Sequence, residues 1–340
     1  MAGSLGWGHR LRYLARRARA IDTANLRHLA GLIAASSGRP RALITLDMLW
    51  AAVRHETAFQ DYFDWDFHLL TRRERETFMT HPKSNHLALR LNAPEHRATF
   101  ADKSRFNVRF APYLGREWID LRSCSDDELD AFLARHDRVI AKIADSLGGD
   151  GIAAYSSSAI SDIPAFRADR LAQRQVLLEQ FLTQHPRMSL LNPSSVNTLR
   201  IVTYLDDRSE VHTLARVLKM GNGGDVDNFS DGGMYTMLDD DGVAHHPAFD
   251  GAGRVFREHP LSGTSIVGFA VPNWGAVQSL VDELAREVPQ IRYVGWDIAI
   301  TPDGAAVIEG NYNTGVFQLK PGATGVREGL LPVYRAAIGF

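Results

Sequence analysis

Hydrophobic and polar positions follow two different periods along the chain, and the period changes part-way. Residues 1–100 carry apolar side chains mostly at helical spacing, which predicts a helical N-terminal region. Ser125 and Glu128 form a capping-box pair that predicts a helix running to about His136. Segments of period two follow, so the rest of the chain combines strands with helices.

The predicted strands come in pairs that are joined by turn residues. The pairs are 139–143 with 152–155, 198–205 with 211–219, and 291–301 with 305–313. Between the second and third pairs, an apolar stripe from Trp274 to Leu284 predicts a helix. Antiparallel pairs mixed with helices predict an α+β fold with more than one sheet.

Composition and charge exclude several classes of protein. Of the 340 residues, 45% are hydrophobic and 23% are charged, which excludes global disorder, collagen-like structure and coiled coil. The net charge of −2 gives no overall field typical of a nucleic-acid binder. Cys124 is the single cysteine, which favours a reducing compartment, and no apolar run has the length of a membrane span. We therefore expect a cytoplasmic protein.

The first 41 residues have a charge of their own. They contain eight arginines against one acid, Asp22, which gives +7. One interpretation is a contact for nucleic acid, an acidic partner or a membrane surface. The other is a solvated arginine face on a helix whose Leu11, Leu14 and Ala18 pack inward, and the helical spacing favours it. Nucleic acid is therefore not expected as a partner, and the oligomeric state stays open.

The last predicted hairpin sets two carboxylates opposite each other. If residues 302–304 form the loop, the register pairs Asp297 with Glu309 and puts Asn311 on the same face. Opposed like charges destabilise a sheet unless a cation lies between them. Two carboxylates and an amide oxygen form the kind of site that Mg²⁺ prefers. The alternative is that each carboxylate pairs separately with a surface arginine.

A lysine and a glycine-rich loop lie in the middle of the chain. Lys142 is near the end of a buried strand, just before Gly148-Gly149-Asp150-Gly151. A buried lysine needs an anion, and a glycine-rich backbone can close over phosphate oxygens. A plain surface hairpin is the alternative, because neither Walker A nor G-x-G-x-x-G spacing is present. Together with the carboxylate hairpin, the loop suggests Mg-nucleotide bound between two sheets.

The ordered set of segments resembles the ATP-grasp enzymes, most closely their sugar-transfer-associated branch. The likeness runs from about Phe59 to Lys320. It comprises Asp61-Tyr62-Phe63, Asp102-Lys103 with Phe106, 139–152, 178–182, 192–200, 226–229 with Gly232-Gly233, Gly295-Trp296-Asp297 and Glu309-Gly310-Asn311. Two positions depart from the family pattern. Ile143 follows Lys142 where many members have proline, and Gly310 stands where an apolar residue is usual.

The resemblance implies the ATP-grasp fold, in which two α+β subdomains clasp ATP between antiparallel sheets. The implied divisions are a helical N-terminal region (1–100), a lid subdomain (101–182) and a C-terminal subdomain with the Mg²⁺ site (183–340). The implied site residues are Lys103 and Lys142 on the ATP phosphates, Gly148, Gly149 and Gly151 over them, Glu179, Gln180, Phe181 and Leu182 along the adenine, and Asp297, Glu309 and Asn311 on magnesium. Arg200 and Arg216 would face the triphosphate or an acyl phosphate, and they form the catalytic set with Lys142.

The function implied by the resemblance is ATP-dependent ligation. A carboxylate of a small molecule or peptide would be activated as an acyl phosphate for attack by an amine or similar nucleophile. No convincing Ser/His/Asp or Cys/His triad is visible, which agrees with a reaction that depends on charge neutralisation. Gln318 and Lys320 are further candidates for contact with a substrate carboxylate. Two alternatives stay open: phosphotransfer to a hydroxyl of a small molecule or sugar, and a non-catalytic adaptor that uses the arginine-rich N-terminus.

Overall fold

The computed structural model describes residues 22–146, 151–223 and 232–339. The helices are α1 (Thr23–Ser37), α2 (Arg41–Arg54), α3 (Phe59–Asp64), α4 (Arg72–Arg75), α5 (His81–Leu91), α6 (Ala98–Ala101), α7 (Lys103–Arg109), α8 (Asp126–Arg135), α9 (Ile163–Ala172), α10 (Pro186–Leu191), α11 (Trp274–Glu287), α12 (Pro321–Thr324) and α13 (Leu331–Ile338). The strands are β1 (Trp118–Asp120), β2 (Arg138–Lys142), β3 (Ala153–Ser156), β4 (Leu177–Gln180), β5 (Thr198–Leu205), β6 (Val211–Met220), β7 (Met234–Met237), β8 (Ala248–Asp250), β9 (Val255–Phe256), β10 (Tyr293–Thr301) and β11 (Gly304–Asn311). Gly148 and Gly149 lie outside the described residues, as do residues 1–21.

The larger sheet has seven strands in the order β11-β10-β5-β6-β7-β8-β9. Its neighbouring strands are antiparallel, and β5–β6 and β10–β11 are the two hairpins predicted from the sequence. The smaller sheet has four strands in the order β1-β4-β2-β3, and its pairs are antiparallel as well. The predicted α+β fold with more than one sheet is therefore confirmed.

Both faces of the larger sheet are covered, which explains why every residue of β5 is buried. On one face, Leu199 and Ile201 pack in the same core as α11. On the other face, Val202 and Tyr204 pack against the N-terminal helices. Successive side chains of a strand point to opposite faces, so β5 contributes to two separate cores. Burial of a large apolar side chain stabilises the fold by about 1.5–3 kcal/mol.

The smaller sheet is covered on one face by α8 and α9. Leu121, Leu129 and Leu133 form its core with residues of β2 and β4. The helix α8 begins at the predicted place, because the Ser125 hydroxyl accepts the Glu128 N–H and the Glu128 carboxylate accepts the Ser125 N–H. Among the described residues, no helix has the length and apolar character of a membrane span.

The aromatic residues of α6 and α7 pack against the larger sheet. Phe100 and Phe110 each lie within 6 Å of the Trp296 ring, centroid to centroid. These rings account for Gly310, the position that departs from the family pattern. A Cβ atom at Gly310 would lie 2.9 Å from ring atoms of Phe100 and Trp296. The Phe100 and Trp296 rings thus occupy the space that an apolar side chain at position 310 would fill.

Candidate active site

The hairpin of β10 and β11 brings the predicted metal ligands together through a bulge. Its loop is two residues long, because Thr301 pairs directly with Gly304. That register would set Asp297 opposite Ile308, but a bulge beside Asp297 takes up one residue and restores the pair of Asp297 and Glu309. The predicted three-residue loop is wrong, whereas the predicted pairing of the two carboxylates is confirmed.

Asp297 is buried and is held by two cations from neighbouring strands. Arg200 on β5 donates Nε and Nη2 to the two carboxylate oxygens, each at 2.7 Å, and the Lys219 Nζ on β6 lies 3.7 Å from Oδ1. Burial by itself raises the pKa of Asp297, but the charges of Arg200 and Lys219 outweigh it and lower that pKa to about 2. Asp297 is therefore ionised at neutral pH.

Glu309 and Asn311 lie on the same face as Asp297, at the end of the bulged hairpin. The Asn311 Nδ2 lies 3.3 Å from the Glu309 Oε1 and 3.4 Å from the Gly295 carbonyl oxygen. Both side chains are half-buried, whereas the Asp297 side chain is buried. The structure thus brings all three predicted metal ligands to one place.

A second ion centre lies on the smaller sheet around Glu179 on β4. Its carboxylate accepts the Lys142 Nζ at 2.6 Å, the Arg116 Nε at 2.7 Å and the Asn107 Nδ2 at 2.9 Å. The Glu179 side chain is 3% exposed and the Lys142 side chain is 9% exposed. Burial raises the pKa of Glu179, but Arg116 and Lys142 outweigh it and hold that pKa well below its usual range. The anion expected beside Lys142 is therefore present in the chain itself.

Arg116 joins the two ion centres. Besides Glu179, its guanidinium donates to the carbonyl oxygens of Val307 at 2.7 Å and Ile308 at 3.3 Å, which lie at the bulge of β11. One buried side chain thus connects the smaller sheet to the backbone beside the metal-ligand hairpin. Neither Arg116 nor Asn107 was predicted from the sequence. The signal that could have found Arg116 is Glu179 itself, because a buried carboxylate requires cationic partners.

Lys103 begins α7 and is attached to the loop that follows β2. Its backbone N–H donates to the Ala144 carbonyl oxygen at 2.9 Å, and its Nζ donates to the Ser146 carbonyl oxygen at 2.5 Å. Gly151 has a φ of 72°, and a Cβ atom at this position would lie 2.3 Å from the Ile143 Cδ1. Both facts place predicted phosphate-binding residues at the two ends of the glycine-rich segment.

The predicted adenine segment lines a cavity of about 460 Å³. Gln180, Phe181 and Leu182 form one wall, and the Arg138 guanidinium lies 4.0 Å from the Phe181 ring centroid. The N–H groups of Gln180 and Phe181 already donate to the carbonyl oxygens of Glu117 and Arg138. The cavity is in the size range of small-ligand sites. Adenine binding along this segment stays a prediction.

Arg216 is not brought to this cluster. It pairs with Ile201, whose side chain packs on the α11 side of the larger sheet, and its guanidinium contacts Asp240 at 2.8 Å. Asp297 lies on the opposite face. The predicted contact of Arg216 with the triphosphate therefore needs correction, because the sheet itself stands between the two.

A bulge in β6 is the cause, and it brings Lys219 to the site instead. Leu214 has no partner in the ladder, so every later residue of β6 changes face relative to the uninterrupted register. Arg200 then pairs with Val217, and Lys219, two residues on, shares its face. Lys219 is a site residue that sequence reasoning missed.

Gln318 and Lys320 serve the fold. Gln318 bonds the backbone of Met79, donating at 2.7 Å and accepting at 3.0 Å. The Lys320 Nζ lies 2.9 Å from the Asp66 carboxylate and donates to the Phe63 carbonyl oxygen. Both side chains tie the C-terminal loop to the N-terminal helices, and their role in substrate binding stays a prediction.

Comparisons with known proteins identify the family of the chain. The model of the family described as "Sugar-transfer associated ATP-grasp" matches residues 83–330. No curated protein sequence matches the chain significantly.

Similar solved structures include the ATP-grasp ligase PsnB complexed with minimal precursor, at 16% identity over 83% of this chain and 76% of that chain, with a TM-score of 0.43. D-alanyl-alanine synthetase A from Vibrio cholerae O1 biovar eltor has 11% identity over 73% of this chain and 63% of that chain, with a TM-score of 0.42. The L-amino acid ligase from Bacillus licheniformis has 11% identity over 71% of this chain and 48% of that chain, with a TM-score of 0.40.

Proposed function

This chain belongs to the sugar-transfer-associated ATP-grasp family, and we propose that it is an ATP-dependent ligase that joins a carboxylate to an amine or similar nucleophile. One observation carries the proposal. The oxygen ligands Asp297, Glu309 and Asn311 share one face of the larger sheet with Arg200 and Lys219. Arg116 connects this face to Lys142 on the smaller sheet.

The ligand set fits magnesium. Asp297 is ionised, Glu309 adds a second carboxylate, and Asn311 adds an amide oxygen on the same face. Mg²⁺ bound there would neutralise charge on the triphosphate and on the phosphoryl group in transfer. The bulge is what orients these side chains together, so the fold prepares the site before any ligand binds.

The cations of the two centres supply positive charge on either side of the site. Lys142 and Lys103 would bind the ATP phosphates beside the glycine-rich segment. Arg200 and Lys219 would face the acyl phosphate, with Lys219 in the role that the resemblance implied for Arg216. The cavity at Gln180–Leu182 would hold the adenine. Each of these side chains contacts a carboxylate or a carbonyl oxygen in the structure, and an anionic ligand would share or replace that contact.

The proposed reaction has two steps. A carboxylate oxygen attacks the γ-phosphorus of ATP, and ADP leaves. The nucleophile then attacks the carbonyl carbon of the acyl phosphate, and the bond from that carbon to the phosphate oxygen breaks to release phosphate. Both steps develop negative charge on phosphate oxygens, which the cations stabilise without a protein nucleophile.

The test is a screen of carboxylates and amines with MgATP that scores ADP, AMP and phosphate for each pair. A ligase of this type produces ADP and free phosphate in equal amounts with the amide. A phosphorylated acceptor without phosphate release would identify a phosphotransferase instead, and AMP would contradict the acyl-phosphate route. Asp297→Asn is the matched inactive control, because it keeps the shape of the side chain and removes its charge.

A further inference from the structure

A histidine–aspartate pair lies at the edge of the site and has no role in the ligand set above. Asp61 on α3 is fully buried, and its Oδ2 accepts the backbone N–H groups of Ala58 and His81, each at 3.0 Å. Its Oδ1 contacts the Nδ1 of His81, the first residue of α5. The Trp65 ring stacks on the imidazole with 5.9 Å between centroids and 5° between planes. The imidazole is therefore held in one orientation.

The other ring nitrogen faces the loop that follows the metal-ligand strand. The His81 Nε2 lies 3.4 Å from the Val316 backbone nitrogen, and a Cβ atom on Gly315 would lie 3.7 Å from it. A hydrogen bond of that length is weak. The His81 side chain is 47% exposed, so this edge of the ring borders solvent. With the proton on Nδ1 directed to Asp61, the lone pair is on Nε2, where the long hydrogen bond from the Val316 N–H is its contact in the structure.

The same loop contacts Arg200 on its far side. The Arg200 guanidinium carbon lies 5.5 Å from the Phe317 ring centroid. The Cβ position on Gly315 is 3.7 Å from Phe317 as well as from His81. A single loop segment thus separates the His81 Nε2 from the arginine that we assign to the acyl phosphate. A group bound beside His81 would therefore be separated from Arg200 by this loop segment alone.

A second carboxylate, that of Asp64, adds negative charge to this edge. Asp64 lies one turn after Asp61 on α3 and accepts the Gln60 Nε2 at 2.8 Å. Across the described ranges, Asp64 makes no ion pair, whereas the nearby Lys320 is paired with Asp66. Burial raises the pKa of Asp64 to about 6, and the attraction of Lys320, whose Nζ donates to the Asp64 carbonyl oxygen at 2.9 Å, offsets only part of that cost. A ligand cation would supply the missing charge.

We infer that His81, Asp61 and Asp64 form the subsite for the acceptor, and that the acceptor is a primary amine. This inference rests on the proposed ligase function. Asp64 binds the ammonium form, the His81 Nε2 accepts one proton so that the neutral amine attacks, and the departing phosphate takes the second proton from the nitrogen. The nitrogen forms its bond to the carbonyl carbon, the bond from that carbon to the phosphate oxygen breaks, and phosphate leaves with its electron pair. Asp61 positions the imidazole and stabilises the imidazolium that forms.

The charged groups that face His81 are Asp61 and Asp64, both on α3. The loop segment Thr314–Gln318 on its other side carries no titratable side chain. Burial lowers the pKa of His81, but the hydrogen bond and the charge of Asp61 outweigh it and raise that pKa above its ordinary value. Amine ligation should therefore rise with pH through the titration of one group with a raised pKa.

The experiment separates formation of the acyl phosphate from attack by the amine. Purified protein, MgATP and a panel of proteinogenic amino acids and short dicarboxylic acids are supplied with either hydroxylamine or amino acid amides. Hydroxylamine is uncharged at neutral pH and attacks acyl phosphates without a base, so hydroxamate reports activation alone. His81→Gln should lower amine turnover by about a hundredfold or more and remove the pH dependence, while hydroxamate formation changes less than threefold. Asp64→Asn should raise KM for the amine about tenfold with little change in kcat.

The matched control is His86→Gln, because His86 is on the same helix and lies 3.7 Å from the Glu56 carboxylate, away from the loop. It should leave both reactions unchanged. If His81→Gln lowers hydroxamate and amide equally, the pair only supports the loop and the inference is overturned. An unchanged KM in Asp64→Asn would remove Asp64 from the subsite. If the wild type forms no hydroxamate with the panel, the proposed ligase function fails, and the subsite fails with it.

Discussion

The ion centre at Glu179 predicts an unequal response to the removal of its members. Glu179→Gln keeps the volume of the side chain but leaves two buried cations, Lys142 and Arg116, without their shared carboxylate. Lys142→Met removes one cation and leaves Glu179 with Arg116 and Asn107. The first variant should therefore be much less stable than the second, although the two residues form one ion pair.

The expected magnitudes follow from burial. Removal of one partner from a buried pair costs about 3–5 kcal/mol, because an uncompensated charge remains. We expect that cost for Glu179→Gln. Loss of one charge-assisted hydrogen bond is worth about 1.5–3 kcal/mol, and in Lys142→Met the end of ammonium desolvation offsets part of it. Lys142→Met should therefore lose less than about 2 kcal/mol of unfolding free energy, while MgATP binding weakens on the order of tenfold or more.

Urea unfolding, followed by circular dichroism and by tryptophan fluorescence, measures both variants against the wild type. Glu117→Gln is the control, because Glu117 pairs with Arg135 at the surface and its loss should leave the urea midpoint unchanged. Isothermal titration with MgATP completes the comparison. Equal losses of stability in Glu179→Gln and Lys142→Met would refute the reasoning. The ion pair of Arg116 with Glu179 would then not compensate the charge that remains after Lys142 is removed.

Further predictions concern the larger sheet and the amine subsite. Glu309→Gln should abolish ATP turnover. Its unfolding free energy should stay within about 1 kcal/mol of the wild type, because Arg200 and Lys219 already neutralise Asp297. Turnover assays and urea unfolding measure the two effects. The pKa of Asp297 is about 2 in the folded protein and 3.8 in the reference state, so its stabilisation is present above pH 4 and is lost as the pH falls towards 2. The midpoint of urea unfolding, measured across that range, should fall more steeply in the wild type than in Asp297→Asn. For Asp64 the sign is opposite: its folded pKa of about 6 exceeds the reference value of 3.8, so Asp64→Asn should raise Tm at pH 8 and not at pH 4.

The three pairs β2–β3, β5–β6 and β10–β11 could be predicted from the sequence, because alternation and turn residues are local signals, whereas the order of strands in the two sheets depends on contacts between distant segments. The two β-bulges could not, and each of them decides which side chains reach the site. In the β5–β6 hairpin, the register without a bulge would pair Arg200 with Arg216, since Leu205 pairs with Val211. The extra residue Leu214 lies between Thr213 and Ala215, with no glycine or proline beside it to mark a bulge.

The β10–β11 hairpin shows the opposite outcome. Its loop is one residue shorter than predicted, and the bulge beside Asp297 adds one residue back. The two deviations cancel, so the predicted pair of Asp297 and Glu309 is present for a different reason. Without the bulge, the apolar Ile308 would face Asp297. A one-residue change of register turns a whole strand over, which makes this bulge essential to the ligand set.

The centre around Glu179 depends on contacts between residues far apart in the chain. Arg116 and Asn107 are 63 and 72 residues away from Glu179; Asn107 is on α7 and Arg116 lies in the loop before β1. No motif connects them. The sequence indicates only that a buried lysine needs an anion, and the fold decides that the anion is Glu179.

Binding of ATP with and without magnesium tests the central claim most directly. Calorimetric titration of the wild type is compared in MgCl₂ and in excess chelator, with Asp297→Asn measured in both. We expect full affinity only with Mg²⁺ in the wild type, because a metal held by Asp297, Glu309 and Asn311 would bridge the protein to the triphosphate oxygens and neutralise part of their charge. In Asp297→Asn the difference between the two conditions should shrink. Equal affinity of the wild type with and without Mg²⁺ would contradict the assignment of a metal site to this hairpin.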